Sequence, residues 1–152
     1  MTKQVLKMFS MLSLAVALAA VAVHANPANP ASPPLKANIP FDFSVGNKTL
    51  PAGVYTVTPL TTPGALRIRR EDCRAAALVQ TQSVQARHDQ DQTKLVFRRY
   101  GDQYFLAQVW TAGESDVREL QKSRTERELV KNSSKYLTMD AVKPEIVCIV
   151  AE

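Results

Sequence analysis

Glycine is scarce in this chain of 152 residues, with only five in all. A phosphate-cradling loop concentrates several glycines in one short stretch so that backbone N–H groups can approach the ligand, and no such cluster occurs. Histidine is scarcer, limited to His24 and His88, and neither stands beside a serine or cysteine. Without a Gly-x-Ser-x-Gly turn either, the usual nucleophile and base pairs are missing. Cysteine is limited to Cys73 and Cys148. The longest apolar run, Met8 to Val23, falls short of the roughly 20 residues that cross a bilayer. These absences argue against an enzyme, and neither a metal nor a cofactor is expected.

What is present begins with the first 25 residues, which hold Lys3 and Lys7, no acidic group, the apolar run, and a Val23-His24-Ala25 end. That order is the pattern of a secretory signal peptide cleaved after Ala25. The mature protein is therefore expected to be secreted or periplasmic, with no stable membrane span after cleavage. Losing the two leader lysines leaves 17 basic and 14 acidic groups, a net charge of +3 on 127 residues. Nucleic-acid binders carry a denser basic face, so no nucleic-acid partner is expected. Residues 26–35, NPANPASPPL, hold four of the nine prolines and no charge, and read as an extended linker. A single β-rich domain is expected over 36–152.

Within it, short runs of alternating apolar residues are separated by turn chemistry. Ile39, Phe41, Phe43 and Val45 occupy every second position and predict one strand, with Pro40 placing it at a sheet edge. Gly46-Asn47 and Pro51-Ala52-Gly53 supply two bends before a second strand at Val54–Thr58. After Thr62-Pro63-Gly64, the run ALRIRR alternates Leu66 and Ile68 with Arg67 and Arg69, a half-buried strand with its arginines toward water. A strand over Ala76–Val84 then leads into an exposed loop near His88–Gln92.

The segment KLVFRRYGDQYFLAQVW is the clearest hairpin. Glycine first in Gly101-Asp102 suits a type II′ turn and predicts the pairs Tyr100 with Gln103, Arg99 with Tyr104, and Phe97 with Leu106. One face would then carry Leu95, Phe97, Tyr104, Leu106 and Trp110, and the other Val96, Tyr100, Phe105, Ala107 and Val109. Both faces are apolar, so these strands should be covered on both sides. A short run ends at Leu120. Ser123 and Glu126 have capping-box spacing, which predicts a helix over 124–131 ended by Asn132–Ser134. YLTMDAV and EIVCIVAE predict two last strands. The expected fold is all-β: a single-domain sandwich or partly open barrel of seven to eight mostly antiparallel strands with one short helix.

Three blocks, IPFDFSVGNKTLPAGVYTV, LVFRRYGDQYFLAQVW and ELQKSRTEREL, resemble the small secreted proteins of unknown function that are numerous in acidobacterial genomes. The resemblance covers about Ile39 to Val130 and implies an exported β-rich domain. It transfers no catalytic or ligand residue, and Cys148 lies outside it.

The most suggestive polar group is a set of arginines. Arg67 and Arg69 share one strand face, and Arg98 on a neighbouring strand could extend an anion-contact face. The plainer reading is that they keep a sheet surface soluble. Cys73 and Cys148 can form one disulfide in an oxidising compartment, or stand apart with Cys148 packed as a small apolar residue. His88, Asp89 and Asp91 read as a solvated loop, and Asp42, Asp102, Glu114 and Asp116 as turn carboxylates. Trp110, Tyr104, Phe105 and Tyr100 either fill a core or line a barrel cavity. The expected function is surface contact with an envelope protein or an acidic surface polymer. The alternative is carriage of a small apolar ligand in a barrel cavity.

Overall fold

The computed structural model describes residues 33–86, 91–136 and 143–152. The expected leader, most of the proline-rich segment, His88 with Asp89, and the strand expected after Tyr136 lie outside the described residues. Among the described residues the fold is all-β with one helix, in keeping with the alternating pattern of the sequence. Ten strands are described, in the order β1 (Leu35–Ile39), β2 (Phe43–Val45), β3 (Lys48–Leu50), β4 (Gly53–Pro59), β5 (Ala65–Arg70), β6 (Ala76–Gln85), β7 (Lys94–Tyr100), β8 (Gln103–Trp110), β9 (Asp116–Leu120) and β10 (Glu145–Val150), with α1 (Arg124–Tyr136) after β9.

The strands form one curved sheet that stays open. Neighbours run β1-β4-β5-β6-β9-β8-β7-β10, all antiparallel, while the β2–β3 hairpin joins β8 through a parallel pairing of Phe43 and Ser44 with Tyr104 and Phe105. Its two ends nearly meet. Just beyond β10, Glu152 exchanges two main-chain hydrogen bonds with Lys36 of β1, at 2.7 and 2.8 Å. That one bridge replaces a strand ladder, which makes the architecture a partly open barrel.

The inner face is filled by the period-two side chains of nearly every strand: Ile39, Phe43, Leu50, Tyr55, Val57, Leu66, Ile68, Leu95 and Phe97 are each at most 1% exposed. Aromatic rings meet edge to face at its centre, Phe43 on Tyr55 at 5.1 Å and on Phe97 at 5.5 Å. Buried Tyr55 also satisfies its hydroxyl, which donates to the Pro51 carbonyl at 2.6 Å, and the Ala52 N–H donates to Asp42 Oδ1 at 2.8 Å. The FSVGNKTLPAGVYTVTP stretch is therefore a braced corner.

Three sequence expectations change. The run Ile39 to Val45 is two strands, because Pro40 has no N–H to donate and the chain breaks there; Phe41 still reaches the core, stacked on Tyr104 at 3.8 Å between centroids. The Gly101-Asp102 hairpin has the three expected pairs, with Gly101 at φ 59°, but its register shifts between Val96 and Phe97, where Val96 faces Gln108 and Phe97 faces Leu106. That bulge at Ala107 reverses the facing of all that follows in β8. Val109 enters the core at 2% exposure, and Trp110 turns outward, its ring under Lys94 Nζ at 4.9 Å. Last, α1 continues through Asn132–Ser134 to Tyr136.

The bulge gives a discriminating expectation for denaturant unfolding. Phe97→Ala should cost about 3–5 kcal/mol as a large core truncation, whereas Trp110→Ala should cost no more than about 1.5 kcal/mol. Equal costs would put the indole in the core and remove the register shift.

Candidate functional site

At ten residues β6 is longer than either of its partners, and each takes one half of it. Ala76–Gln80 pairs with β5 and Thr81–Gln85 with β9. The bonds from Arg70 N–H to Ala75 C=O at 2.8 Å and from Thr81 N–H to Gly64 C=O at 2.8 Å fix the phase of the first half. In an antiparallel ladder alternate residues bond to alternate sides. Ala77 and Val79 therefore direct their main-chain groups to β5, and Ala76 and Leu78 direct theirs to the opposite edge. Gly64 makes this approach possible: it has φ +75°, and a Cβ there would stand 2.6 Å from the Thr81 carbonyl oxygen.

On that opposite edge β9 stops at Leu120, where the chain leaves for the helix cap at Ser123. Beyond the stop, β6 faces a groove of about 780 Å³ whose far wall is the tip of the β2–β3 hairpin, Val45 to Lys48. Ala76, Ala77, Leu78 and Arg67 form the near wall. The hairpin tip is pinned by Asn47, whose Oδ1 accepts the Arg124 N–H at 3.3 Å. Lys48 spans the groove and donates from Nζ to the Ala76 carbonyl at 2.6 Å. A strand hydrogen-bonded to β6 would meet that carbonyl with its backbone, so the reach of a long side chain marks a gap wider than the ~4.8 Å strand spacing.

The groove is cationic and partly apolar. Among the described residues no carboxylate joins Lys48 and Arg67 in lining it, and Leu78 stands 72% exposed beside them. Arg69 continues the Arg67 face one pleat along, and among the described residues neither arginine has an ion-pair partner. Arg67 and Arg69 thus occupy the exposed face expected of them.

Arg98 does not join that face. It lies under α1, its side chain 11% exposed, and donates from Nε and Nη2 to the two Glu126 carboxylate oxygens at 2.6 and 3.1 Å. Tyr100 adds a third bond, donating from its hydroxyl to Glu126 Oε1 at 3.2 Å. Only half of the expected capping box forms: Ser123 Oγ accepts the Glu126 N–H at 3.1 Å, but the carboxylate turns to Arg98 instead of the serine N–H. A nearly enclosed arginine exerts the stronger pull on a 1% exposed glutamate. Removing one partner of such a pair typically costs about 3–5 kcal/mol, because the other charge is left buried. This cluster is what seats the helix on the sheet.

The other candidates separate as follows. Cys73 and Cys148 are both exposed and unbonded, Cys73 in the β5–β6 turn at φ 60° and Cys148 on the outward side of β10. Asp91 is exposed, and among the described residues no three His, Cys, Asp or Glu side chains gather as a metal site. Tyr104 packs against the core, and Phe105 is buried with its ring edge to face with Tyr100 at 6.0 Å. A cavity at the barrel end between Leu35, Val57, Val109 and Arg118 measures about 10 Å³. No described helix is long and apolar enough to cross a membrane. Lys48 and Leu78 escaped the sequence reading, since nothing local reveals where β9 will end.

No protein-family model, curated protein sequence or solved structure matches this chain.

The helix cluster carries a pH expectation. Burial, the Glu126 charge and the hydrogen bond to Glu126 raise the Tyr100 phenol above its ordinary 10.0, against a smaller opposite pull from Arg98, and burial likewise raises Tyr55. The folded chain then holds phenolic protons that the unfolded chain has lost, so stability is fully present below about pH 10 and falls as pH rises through the folded values. Unfolding free energy measured from pH 8 to 11.5 should decline above about pH 10, and less steeply in Tyr100→Phe. A slope unaffected by Tyr100→Phe would contradict the linkage.

Proposed function

We propose that this chain is an exported, non-enzymatic binding module that works through surface contacts with an envelope protein or an acidic surface polymer. The observation that carries this reading is the groove between β3 and β6, where Lys48 and Arg67 meet no carboxylate and Leu78 is left to solvent. Long cationic side chains on a rigid sheet attract a negatively charged partner at little cost in order, since the strands hold their stems. The leader-like first 25 residues and the resemblance of three sequence blocks to exported proteins support the location. Carriage of a small apolar ligand has less support among the described residues, where the cavity between Leu35, Val57, Val109 and Arg118, about 10 Å³, has room for one water at most.

Adsorption of the mature chain to immobilised poly-L-glutamate tests the reading. Binding should weaken steeply between about 50 and 300 mM salt, as screening of exposed charge requires. Replacing Arg67 and Arg69 together by Ala should weaken it at least about fivefold, equivalent to roughly 1 kcal/mol. Adsorption insensitive to both salt and the double replacement would overturn the cationic-face reading.

A further inference from the structure

The groove has a property that charge alone does not require: one of its walls is the edge of a strand. We infer that the outer edge of β6, Ala76 to Gln80, accepts an added β-strand from a partner protein, an extended peptide segment in which acidic and apolar side chains alternate. This rests on the binding-module reading above and specifies its ligand.

Four observations converge on it. The phase of the β5–β6 ladder directs the main-chain groups of Ala76 and Leu78 into the groove, and β9 ends before it can pair with them. No described residue hydrogen-bonds the main chain of Leu78 on that side, while the Ala76 carbonyl is met only by the Lys48 ammonium. The groove encloses about 780 Å³ and opens to solvent along its length, which suits a single extended segment. Its side chains match one composition. In an added strand successive residues point to opposite faces, so carboxylates on the outward face meet Arg67 and Lys48, and apolar residues are placed near Val45 and Ala77.

Lys48 acts as a removable cap in this arrangement. Unpaired strand edges are commonly blunted by lysine, and here the ammonium satisfies the Ala76 carbonyl until a strand N–H takes its place. Released, the same ammonium can pair with a carboxylate of the incoming segment. Strand addition draws its affinity from main-chain bonds and its selectivity from side chains at alternate positions. A basic peptide of the same length should therefore be rejected.

The test uses the full mature chain, labelled with ¹⁵N, and two capped peptides, acetyl-Val-Glu-Val-Glu-Val-Glu-amide and its Lys-for-Glu counterpart. The acidic peptide should slow amide exchange at Ala76 and Leu78 at least about tenfold, the equivalent of roughly 1.4 kcal/mol, with little change at Ala77 and Val79. The basic peptide should bind at least about tenfold more weakly. Leu78→Pro deletes an N–H that has no internal partner, so it should leave the fold intact and weaken the acidic peptide by a similar factor. If that variant fails to fold, the exchange pattern of the unaltered chain decides alone. Peptide binding without slowing at Ala76 and Leu78 would overturn strand addition while leaving a cationic binding surface. Alginate that binds as tightly as the peptide and leaves the same amides unprotected would overturn it in favour of a polysaccharide. Loss of poly-L-glutamate adsorption as well would defeat the binding-module reading itself.

Discussion

Every main-chain N–H and C=O removed from water needs a partner, and the ten residues of β6 outrun any one neighbour that could supply them. The strand meets the constraint by changing partners at its midpoint, from β5 to β9. This change lets the sheet curl. The run β1-β4-β5 lies on one side of the switch and β9-β8-β7-β10 on the other, and the ends come round to the Lys36–Glu152 bridge. It also leaves one length of edge, on the β9 side of Ala76–Gln80, where the second partner has already stopped. The curvature that builds the core and the gap that forms the groove thus have a single cause.

Stability and the proposed recognition use different faces of the same strands. On β5, Leu66 and Ile68 are 1% exposed while Arg67 and Arg69 project to water. The interior is filled by Phe43, Tyr55 and Phe97, so the contacts proposed with other molecules would be made on the outer surface. The helix contributes indirectly: Glu126 fastens it to Arg98 and Tyr100, and its first N–H, that of Arg124, holds the hairpin tip at Asn47. One wall of the groove is therefore braced by the helix.

Much of the fold is legible in the sequence because it rests on local rules. Glycine ahead of Asp102 sets the hairpin turn, and the three expected pairs around it are present. Alternation in ALRIRR places Arg67 and Arg69 outside, and strand β6 lies within one residue of its expected span. The misreadings have non-local causes. A one-residue bulge at Ala107 exchanges Val109 and Trp110 between faces, and no residue type announces it. Arg98 looks like a surface cation until Glu126, 28 positions later, is folded over it. The extra strands beyond the seven or eight expected arise where Pro40 divides one run in two and where Lys48–Leu50 forms a short hairpin arm. Lys48 and Leu78 become a site only through the point at which β9 ends.

Native-state amide exchange along β6 of the protein alone tests the divided pairing most directly. Ala77, Val79 and Thr81 should exchange slowly and Leu78 fast, with the alternation reversing phase after Thr81 so that Gln82 and Val84 become the slow ones. Uniform protection from Ala76 to Gln85, or slow exchange at Leu78, would mean that the outer edge is already paired and that neither the groove nor the origin of the curvature is as described.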